Sequence, residues 1–411
     1  MREKRFWSYE NQMVAICMLC FGFVMFDRFT IATLATFIMP DLQLSDAELG
    51  FAMSAFALSW GIAGLVGSML SDMIASKKRI LVICVIAFSV CSLLTGMAAG
   101  FIMLIIIRFV IGAFSGPVFP IAQSFVLAQS SPHRRGRNMG LVGTTSMGLI
   151  SMLAGPLILV ALAQALGWRP TFYLTLIPGL IIAFLIFKIL KEPDMTKVAG
   201  VKSKAEKPTL KESLIAFRNR NVVTAILFSS FILCWNVSTL TFAPVYLVTK
   251  KGFSATDMSY IMAVIGLGAV VWGVVVPSLS DRFGRKPVII IFTLLTLVSS
   301  AGLIMATSPI LIGVCVFAGW GGSGVIPLYQ ATVIGESVDG KYASTVMSAV
   351  QMTGEIGGCV IGVAVAGLLA GAYGLQVALI FAACCLVVAA VIAFGFYETA
   401  PRVLERRKAV K

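Results

Sequence analysis

Four ionisable side chains lie deep inside long apolar runs of this chain, and their types predict its chemistry. They are Asp27, Arg28, Arg108 and Glu355. A charge at the centre of a lipid bilayer costs on the order of 2.5–3.5 kcal/mol, so such groups usually face a cavity or one another. A guanidinium stays protonated and matches a carboxylate with a planar pair of N–H donors, whereas a carboxyl group can bind and release a proton. We therefore expect the arginines to bind an anion and an acid to carry a proton.

Each assignment has a structural alternative that stays open at this point. In the alternative for Arg108, this residue only ties its helix to backbone carbonyls or to Asp27. In the alternative for Arg28, it forms a fixed pair with its neighbour. Adjacent helical residues point about 100° apart, so Asp27 and Arg28 cannot face the same spot. Asp27 is the first candidate proton carrier, and its alternative role is that of a permanently ionised partner of an arginine. Glu355 is the second candidate, and its alternative role is that of a protonated group that bonds to a neighbouring helix.

Neutral polar and aromatic side chains are expected to complete a substrate pocket near the middle of the membrane. The polar candidates are Ser115, Gln123, Asn236, Gln330 and Gln351, and the aromatic candidates are Trp235, Trp320 and Tyr329. The alternatives are that the glutamines satisfy nearby helix backbone and that the aromatic rings only pack against other helices. No motif of a metal or cofactor site accompanies them, so neither is expected.

The composition determines which elements must position these residues. Of 411 residues, 59% are hydrophobic and 12% are charged, and the mean hydropathy is +0.97. Soluble domains have about 45–50% apolar and about 25% charged residues, so a soluble enzyme and a disordered chain are excluded. Runs of about 20 apolar residues span a bilayer as helices. Twelve such spans are predicted, at 13–38, 48–71, 79–98, 101–122, 139–165, 170–190, 221–247, 257–279, 287–307, 309–331, 344–371 and 375–397.

The positive charges are distributed unequally between alternate loops. Of the 32 basic residues, 27 lie in the termini and in the loops on the same side as the termini, and only Arg169, Lys250 and Lys251 lie in the opposite loops. Cytoplasmic loops collect Lys and Arg, so both termini are expected to be cytoplasmic. This topology explains the net charge of +14 without a nucleic-acid partner.

The twelve spans fall into two related halves. The predicted division is an N-terminal bundle at 1–190, a polar linker at 191–220, a C-terminal bundle at 221–397 and a tail at 398–411. The segment from Gly64 to Asp72 matches the segment from Gly273 to Asp281 at an offset of 209 positions. Internal repeats of this kind are typical of secondary transporters, whose substrate sites lie near the membrane midplane.

The segment that ends DRFGRK resembles the loop motif of the major facilitator superfamily. Its motif residues are Asp281, Arg282, Gly284, Arg285 and Lys286, and the first-half copy keeps Asp72 but has Met73, Ala75 and Ser76 where the motif has Arg, Gly and Arg. The resemblance implies an all-α membrane protein with two pseudo-symmetric six-helix bundles. It also implies that these residues form a cytoplasmic gating network, which is weaker in the first half.

A narrower resemblance is to the anion:cation symporters, with the aromatic acid:proton symporters as a close alternative. It depends on the Asp27-Arg28 pair and on RFVIGAFSGPVFP from Arg108 to Pro120. The family usually has Glu where this chain has Ser115, so we hypothesise that the coupling acid has moved to Glu355. The resemblance implies a proton-coupled symporter for a small organic acid, active as a monomer in a bacterial inner membrane. The alternative function is proton-linked efflux of a drug or acidic metabolite.

Overall fold

The computed structural model describes residues 8–73, 76–131, 134–193, 218–338, 340–401 and 403–405, and all the regular elements in these ranges are helices. The described residues form twelve long helices, one for each predicted span. They are α1 Tyr9–Thr33, α2 Asp46–Met73, α3 Lys77–Thr95, α4 Phe101–Gln129, α5 Arg135–Leu166, α6 Trp168–Ile189, α7 Arg220–Thr249, α8 Ala255–Phe283, α9 Arg285–Met305, α10 Pro309–Ser337, α11, which begins with Gly340–Gly354 and ends with Val363–Tyr373, and α12 Leu375–Ala393.

The helices begin where the sequence offers capping side chains. Ser8 caps α1, and the Ser76 hydroxyl accepts a hydrogen bond from the Arg79 amide at the start of α3. Asn219 and Ser254 cap α7 and α8 in the same way. These side-chain oxygens satisfy backbone N–H groups that the first helical turn leaves without partners.

The lengths and surfaces of the helices fit a bilayer. Within the described residues, every one of the twelve helices except α2 is long and apolar enough to cross a membrane. The helix α2 has 28 residues and extends about 42 Å at 1.5 Å per residue. Large apolar side chains are exposed along the outer faces, for example Ile102, Phe187, Val274, Ile310 and Val391. In water such surfaces would favour aggregation, whereas in lipid they are solvated.

Several helices depart from regular α geometry. α1 ends at Thr33 and continues as the short helix Ala35–Leu42, and α4 is interrupted at Gly116-Pro117. Wide π-helical turns occupy Met147–Ala154 in α5 and Glu355–Gly362 in α11. Such turns are rare and occur frequently at functional sites.

By its contacts the chain divides into two compact units. The first comprises Met1–Leu44 and Ala55–Ala205, and the second comprises Ser45–Ser54 and Glu206–Lys411. In the first unit α1 packs against α4, α5 and α6, and α3 lies along α6. In the second unit α7 packs against α11 and α12. Among the eleven helices that are long and apolar enough to cross a membrane, α1 and α7 are the most buried, so polar groups on them are held away from lipid.

Candidate functional site

Arg108 of α4 is enclosed in the first unit and reaches the backbone of α1. Its Nη2 donates to the Arg28 carbonyl oxygen at 2.8 Å, and its Nη1 donates to the Asp27 carbonyl oxygen at 3.4 Å. The same Nη1 lies 3.8 Å from Asp27 Oδ2, and both side chains are only 1% exposed. The arginine therefore connects α4 to α1 through two carbonyls and one carboxylate, which is the structural alternative that the sequence left open.

The Arg108 guanidinium also lies over the ring of Phe56 on α2, with 4.5 Å between its Cζ and the ring centroid. Gly112, one turn further along α4, makes this approach possible. A Cβ at Gly112 would lie 2.5 Å from the Phe56 carbonyl oxygen, a distance that carbon and oxygen atoms do not tolerate. The R-x-x-x-G spacing thus brings α4 against α2 and fixes the position of Arg108.

Arg28 lies beside a group of aromatic rings. Its Cζ is 5.4 Å from the Phe56 centroid, 5.7 Å from that of Trp60 and 5.8 Å from that of Phe29. A guanidinium near ring faces is held by cation–π attraction, and its planar edge of N–H groups has the geometry that matches a carboxylate. Arg28 is 6% exposed and therefore belongs to the interior.

Asp27 is bound from a second side by a hydroxyl that the sequence did not single out. The Ser92 hydroxyl of α3 donates to Asp27 Oδ1, and the Thr175 hydroxyl of α6 lies 3.0 Å from Ser92 Oγ. Ser92 is fully buried and Thr175 is 5% exposed. The carboxylate is therefore placed between a guanidinium of α4 and a pair of buried hydroxyls from α3 and α6.

Two of the three predicted aromatic candidates pack against each other in the second unit. Trp235 of α7 and Trp320 of α10 pack with 4.9 Å between ring centroids, and Trp235 Nε1 donates to Ser300 Oγ at 3.2 Å. Trp320 Nε1 is buried without a hydrogen-bond partner among the described residues. Tyr329 packs edge-on against Phe228, and all three aromatic candidates are fully buried. A tryptophan N–H without a partner in such a place is an available donor.

Glu355 is partly buried at the first residue of the π-helical segment of α11. It lies within electrostatic range of Tyr329, whose hydroxyl accepts a hydrogen bond from Gln330 at 3.3 Å. The structure therefore places Glu355, Tyr329 and Gln330 in one region of the second unit, while Asp27 and both arginines lie in the first.

The remaining polar candidates have different environments. Asn236 is buried beside Trp235, and Ser115 Oγ is buried without a hydrogen-bond partner among the described residues. Gln123 donates to the Met139 carbonyl oxygen of α5 at 3.3 Å, so its amide N–H satisfies helix backbone. Gln351 is exposed on α11.

The DRFGRK motif forms a network at the junction of α8 and α9. Arg285 bonds to the Asp281 carboxylate, donates to Ser280 Oγ at 2.7 Å, and binds both oxygens of Glu336, at 2.9 and 3.2 Å. Gly284 has φ +108°, which favours glycine, and the Glu398 carboxylate lies where its Cβ would be. The remaining motif contacts are Lys286 Nζ with the Phe394 carbonyl oxygen and the Arg282 guanidinium over the Phe283 ring. The side chain of Asp72 lies outside the described residues.

Sequence reasoning missed two acidic residues that bind helix N-termini near these loops. Glu398 accepts hydrogen bonds from the Arg285 amide at 2.7 Å and the Lys286 amide at 3.3 Å at the start of α9. Glu192 accepts from the Ser76 hydroxyl at 2.9 Å and from the first amides of α3. An anion at a helix N-terminus is stabilised by the exposed N–H groups. The signal was present, because the two glutamates are separated by nearly the repeat offset.

Comparison with curated proteins identifies relatives among transporters. A hexuronate transporter of Bacillus subtilis (strain 168) is 31% identical over 300 residues, which cover 69% of this chain and 70% of that protein. A D-galactonate transporter of Escherichia coli O6:H1 (strain CFT073) is 26% identical over 280 residues, which cover 63% of this chain and 64% of that protein.

Solved structures share the fold at low sequence identity. A mutant of the nucleoside transporter NupG has a TM-score of 0.79 and 15% identity, covering 95% of this chain and all of that one. A D-xylose-proton symporter has a TM-score of 0.77 and 16% identity, covering 96% of this chain and 99% of that one. The sequence model of the Major Facilitator Superfamily matches residues 17–360 and 252–411. The chain therefore belongs to the major facilitator superfamily, and it is a multi-pass membrane transporter rather than an enzyme.

Proposed function

We propose that this transporter imports a small organic acid anion together with protons by alternating access. The observation that carries the proposal is the likeness to a hexuronate transporter over 69% of the chain, combined with two buried arginines in the first unit. The relatives are described as transporters of hexuronate and D-galactonate, and both molecules are sugar acids with one carboxylate. A sugar acid is accordingly the first substrate class to test.

Within the site we assign binding of the substrate carboxylate to Arg28, and to Arg108 a structural role that supports it. Arg108 already binds two carbonyl oxygens and the Asp27 carboxylate, and this set of contacts supports a fixed position. Arg28 lies against ring faces, which orient a guanidinium while its N–H edge binds an anion. Asn236, Trp235 and Trp320 are the candidates for contacts with the rest of the substrate, and Asp27 or Glu355 carries the proton.

Energetically, proton coupling is sufficient for accumulation. A gradient of one pH unit provides about 1.4 kcal/mol per proton, and each net positive charge moved adds about 2.3 kcal/mol per 100 mV. One proton moved with a monovalent anion is electroneutral, so accumulation then depends on the pH gradient alone. We place the protein in the bacterial inner membrane as a monomer with both termini in the cytoplasm, where 27 of its 32 basic residues would lie.

The proposal is tested by uptake into proteoliposomes that contain the purified full-length protein. Labelled glucuronate, galactonate, glucarate and benzoate are supplied with and without an inward proton gradient, and a protonophore serves as control. Accumulation of one of these acids that the protonophore abolishes is expected. Failure of all four acids to enter would overturn the proposal, and accumulation only under a gradient of opposite direction would favour proton-linked efflux.

A further inference from the structure

Three oxygen-bearing side chains from three helices form one hydrogen-bonded row in the first unit. The Ser92 hydroxyl of α3 bonds to Asp27 Oδ1 of α1, and Thr175 Oγ1 of α6 lies 3.0 Å from Ser92 Oγ. Thr175 Oγ1 also donates to the Phe172 carbonyl oxygen at 2.6 Å. The three side chains are at most 5% exposed. The row therefore runs from a carboxyl group to a backbone acceptor without leaving the protein interior.

The hydrogen count of this row is compatible with both protonation states of Asp27. Each hydroxyl has one proton to donate and two lone pairs that accept. With Asp27 ionised, Ser92 donates to the carboxylate and Thr175 donates to Ser92 or to Phe172. With a proton on Asp27 Oδ1, Asp27 donates to Ser92, Ser92 donates to Thr175, and Thr175 donates to the Phe172 carbonyl.

The change between these two arrangements requires only rotation of two hydroxyl groups. The one proton that is gained or lost is the proton bound to Asp27, and no O–H bond within the row breaks. In both arrangements every hydroxyl proton has an acceptor. A buried donor without an acceptor is costly, so the row removes a penalty that would otherwise favour one state of the carboxyl group.

We propose that Ser92 and Thr175 form a reversible hydroxyl relay that lets Asp27 hold either protonation state inside the membrane, so that Asp27 is the proton carrier. The two hydroxyls are positioning residues for that carrier. This inference rests on the proposed proton coupling and chooses between Asp27 and Glu355. Among the described residues, the groups that interact with Asp27 include the charged Arg108 from α4 and the titratable Cys91 thiol from α3, and Arg28 follows Asp27 directly in α1.

The relay predicts opposite effects for its two hydroxyls. Ser92→Ala removes a donor to the ionised carboxylate, and hydrogen bonds to the charged form are the stronger ones. Proton release from Asp27 then becomes less favourable, and its titration midpoint moves to higher pH by about one unit. Thr175→Val removes the acceptor that Ser92 needs when Asp27 is protonated. Proton binding then becomes less favourable, and the midpoint moves to lower pH.

The test is an infrared titration of the purified full-length protein, followed through the carbonyl stretch of protonated carboxylic acids. Asp27→Asn identifies the band of Asp27 by its loss. Ser89→Ala is the matched control for Ser92→Ala, because Ser89 is a buried serine one turn away on α3 that bonds to its own helix, at 2.6 Å from the Val85 carbonyl oxygen. Thr175→Ser is the matched control for Thr175→Val, because it keeps the hydroxyl. Both controls should titrate like the unmodified protein, and size-exclusion chromatography checks that each variant is folded.

Shifts of opposite sign in the two test variants, absent from both controls, support the relay. Unchanged midpoints in Ser92→Ala and Thr175→Val, or a titrating band that survives in Asp27→Asn, would overturn it. The titration needs no substrate, so its result is independent of the uptake assay. Failure of all acids to enter proteoliposomes with the relay shifts present would count against the proposed transport function alone.

Discussion

The contact between Arg108 and Asp27 makes a quantitative prediction about stability. Arg108 Nη1 lies 3.8 Å from Asp27 Oδ2, and both side chains are 1% exposed. At an effective dielectric constant of about 20 the attraction between the two charges is about 4 kcal/mol. Replacing Arg108 by leucine leaves the buried carboxylate without its counter-charge, and such losses typically cost about 3–5 kcal/mol.

The perturbation is a double-mutant cycle of Arg108→Leu with Asp27→Asn. Asparagine removes the charge that needs compensation, so Arg108→Leu should cost about 2–3 kcal/mol less in that background. A residual cost of about 1–2 kcal/mol should remain, because the hydrogen bond to the Arg28 carbonyl oxygen is lost in both backgrounds.

The assay is equilibrium unfolding of the purified protein in mixed micelles, followed by circular dichroism. The matched control is the exposed pair of Arg169 and Asp41, whose N···O distance is 2.9 Å and whose side chains are 36% and 48% exposed. The corresponding cycle at that pair should give a coupling below about 1 kcal/mol. A coupling at Arg108 and Asp27 within about 0.5 kcal/mol of zero would refute the assignment of Arg108 as the counter-charge.

Three further predictions concern single residues. Gly112→Ala should destabilise the protein by about 1–3 kcal/mol in the same unfolding assay, because its Cβ would lie 2.5 Å from a backbone carbonyl of α2. Gly61→Ala, with no atom within 4 Å of its Cβ, should be neutral or stabilising, and equal losses in the two variants would contradict this explanation. Glu398→Gln should lower the thermal midpoint more than Gln substitution at an exposed glutamate, because its carboxylate binds the first amides of α9; an unchanged midpoint would exclude a stabilising role for this charge. Arg28→Lys should raise the KM for the transported acid about tenfold, because an ammonium group lacks the planar pair of donors; uptake kinetics check this, and an unchanged KM would remove Arg28 from the anion site.

The sequence was sufficient for the number and order of the helices, because the length of an apolar run and the distribution of basic residues follow directly from the bilayer. It was also sufficient for singling out Arg285 and Gly284, which lie in a contact network at the junction of α8 and α9. It did not predict that Glu336 and Glu398 would complete that network, since both partners come from distant segments. Side-chain contacts between helices depend on rotation and depth, which hydropathy does not specify.

The same limitation explains the mixed outcome for the candidate site. The contacts of Arg108 match its structural alternative, in which it ties its helix to α1. The amide N–H of Gln123 also matches its alternative, because it bonds to helix backbone. Gln351 is exposed. Its exposure could not be predicted, because hydropathy places a residue in a span but does not give the side of the helix on which it lies. The sequence did not predict the contacts of Ser92 and Thr175 with Asp27 and with each other, because serine and threonine are common in membrane helices and usually bond to their own backbone. The roles of the twelve candidates in binding and coupling remain predictions.

The wide turns of α5 and α11 have a consequence for the hydrogen-bond ladder of these two helices. Met147–Ala154 and Glu355–Gly362 both have eight residues, and their first residues are separated by nearly the repeat offset. In a π-helical turn the backbone bonds join residues five apart instead of four, so the ladder changes pitch at matching places in the two repeats. Glu355 is the first residue of the second turn, where the first repeat has Met147. The second repeat, and not the first, therefore begins this change of pitch with an ionisable side chain.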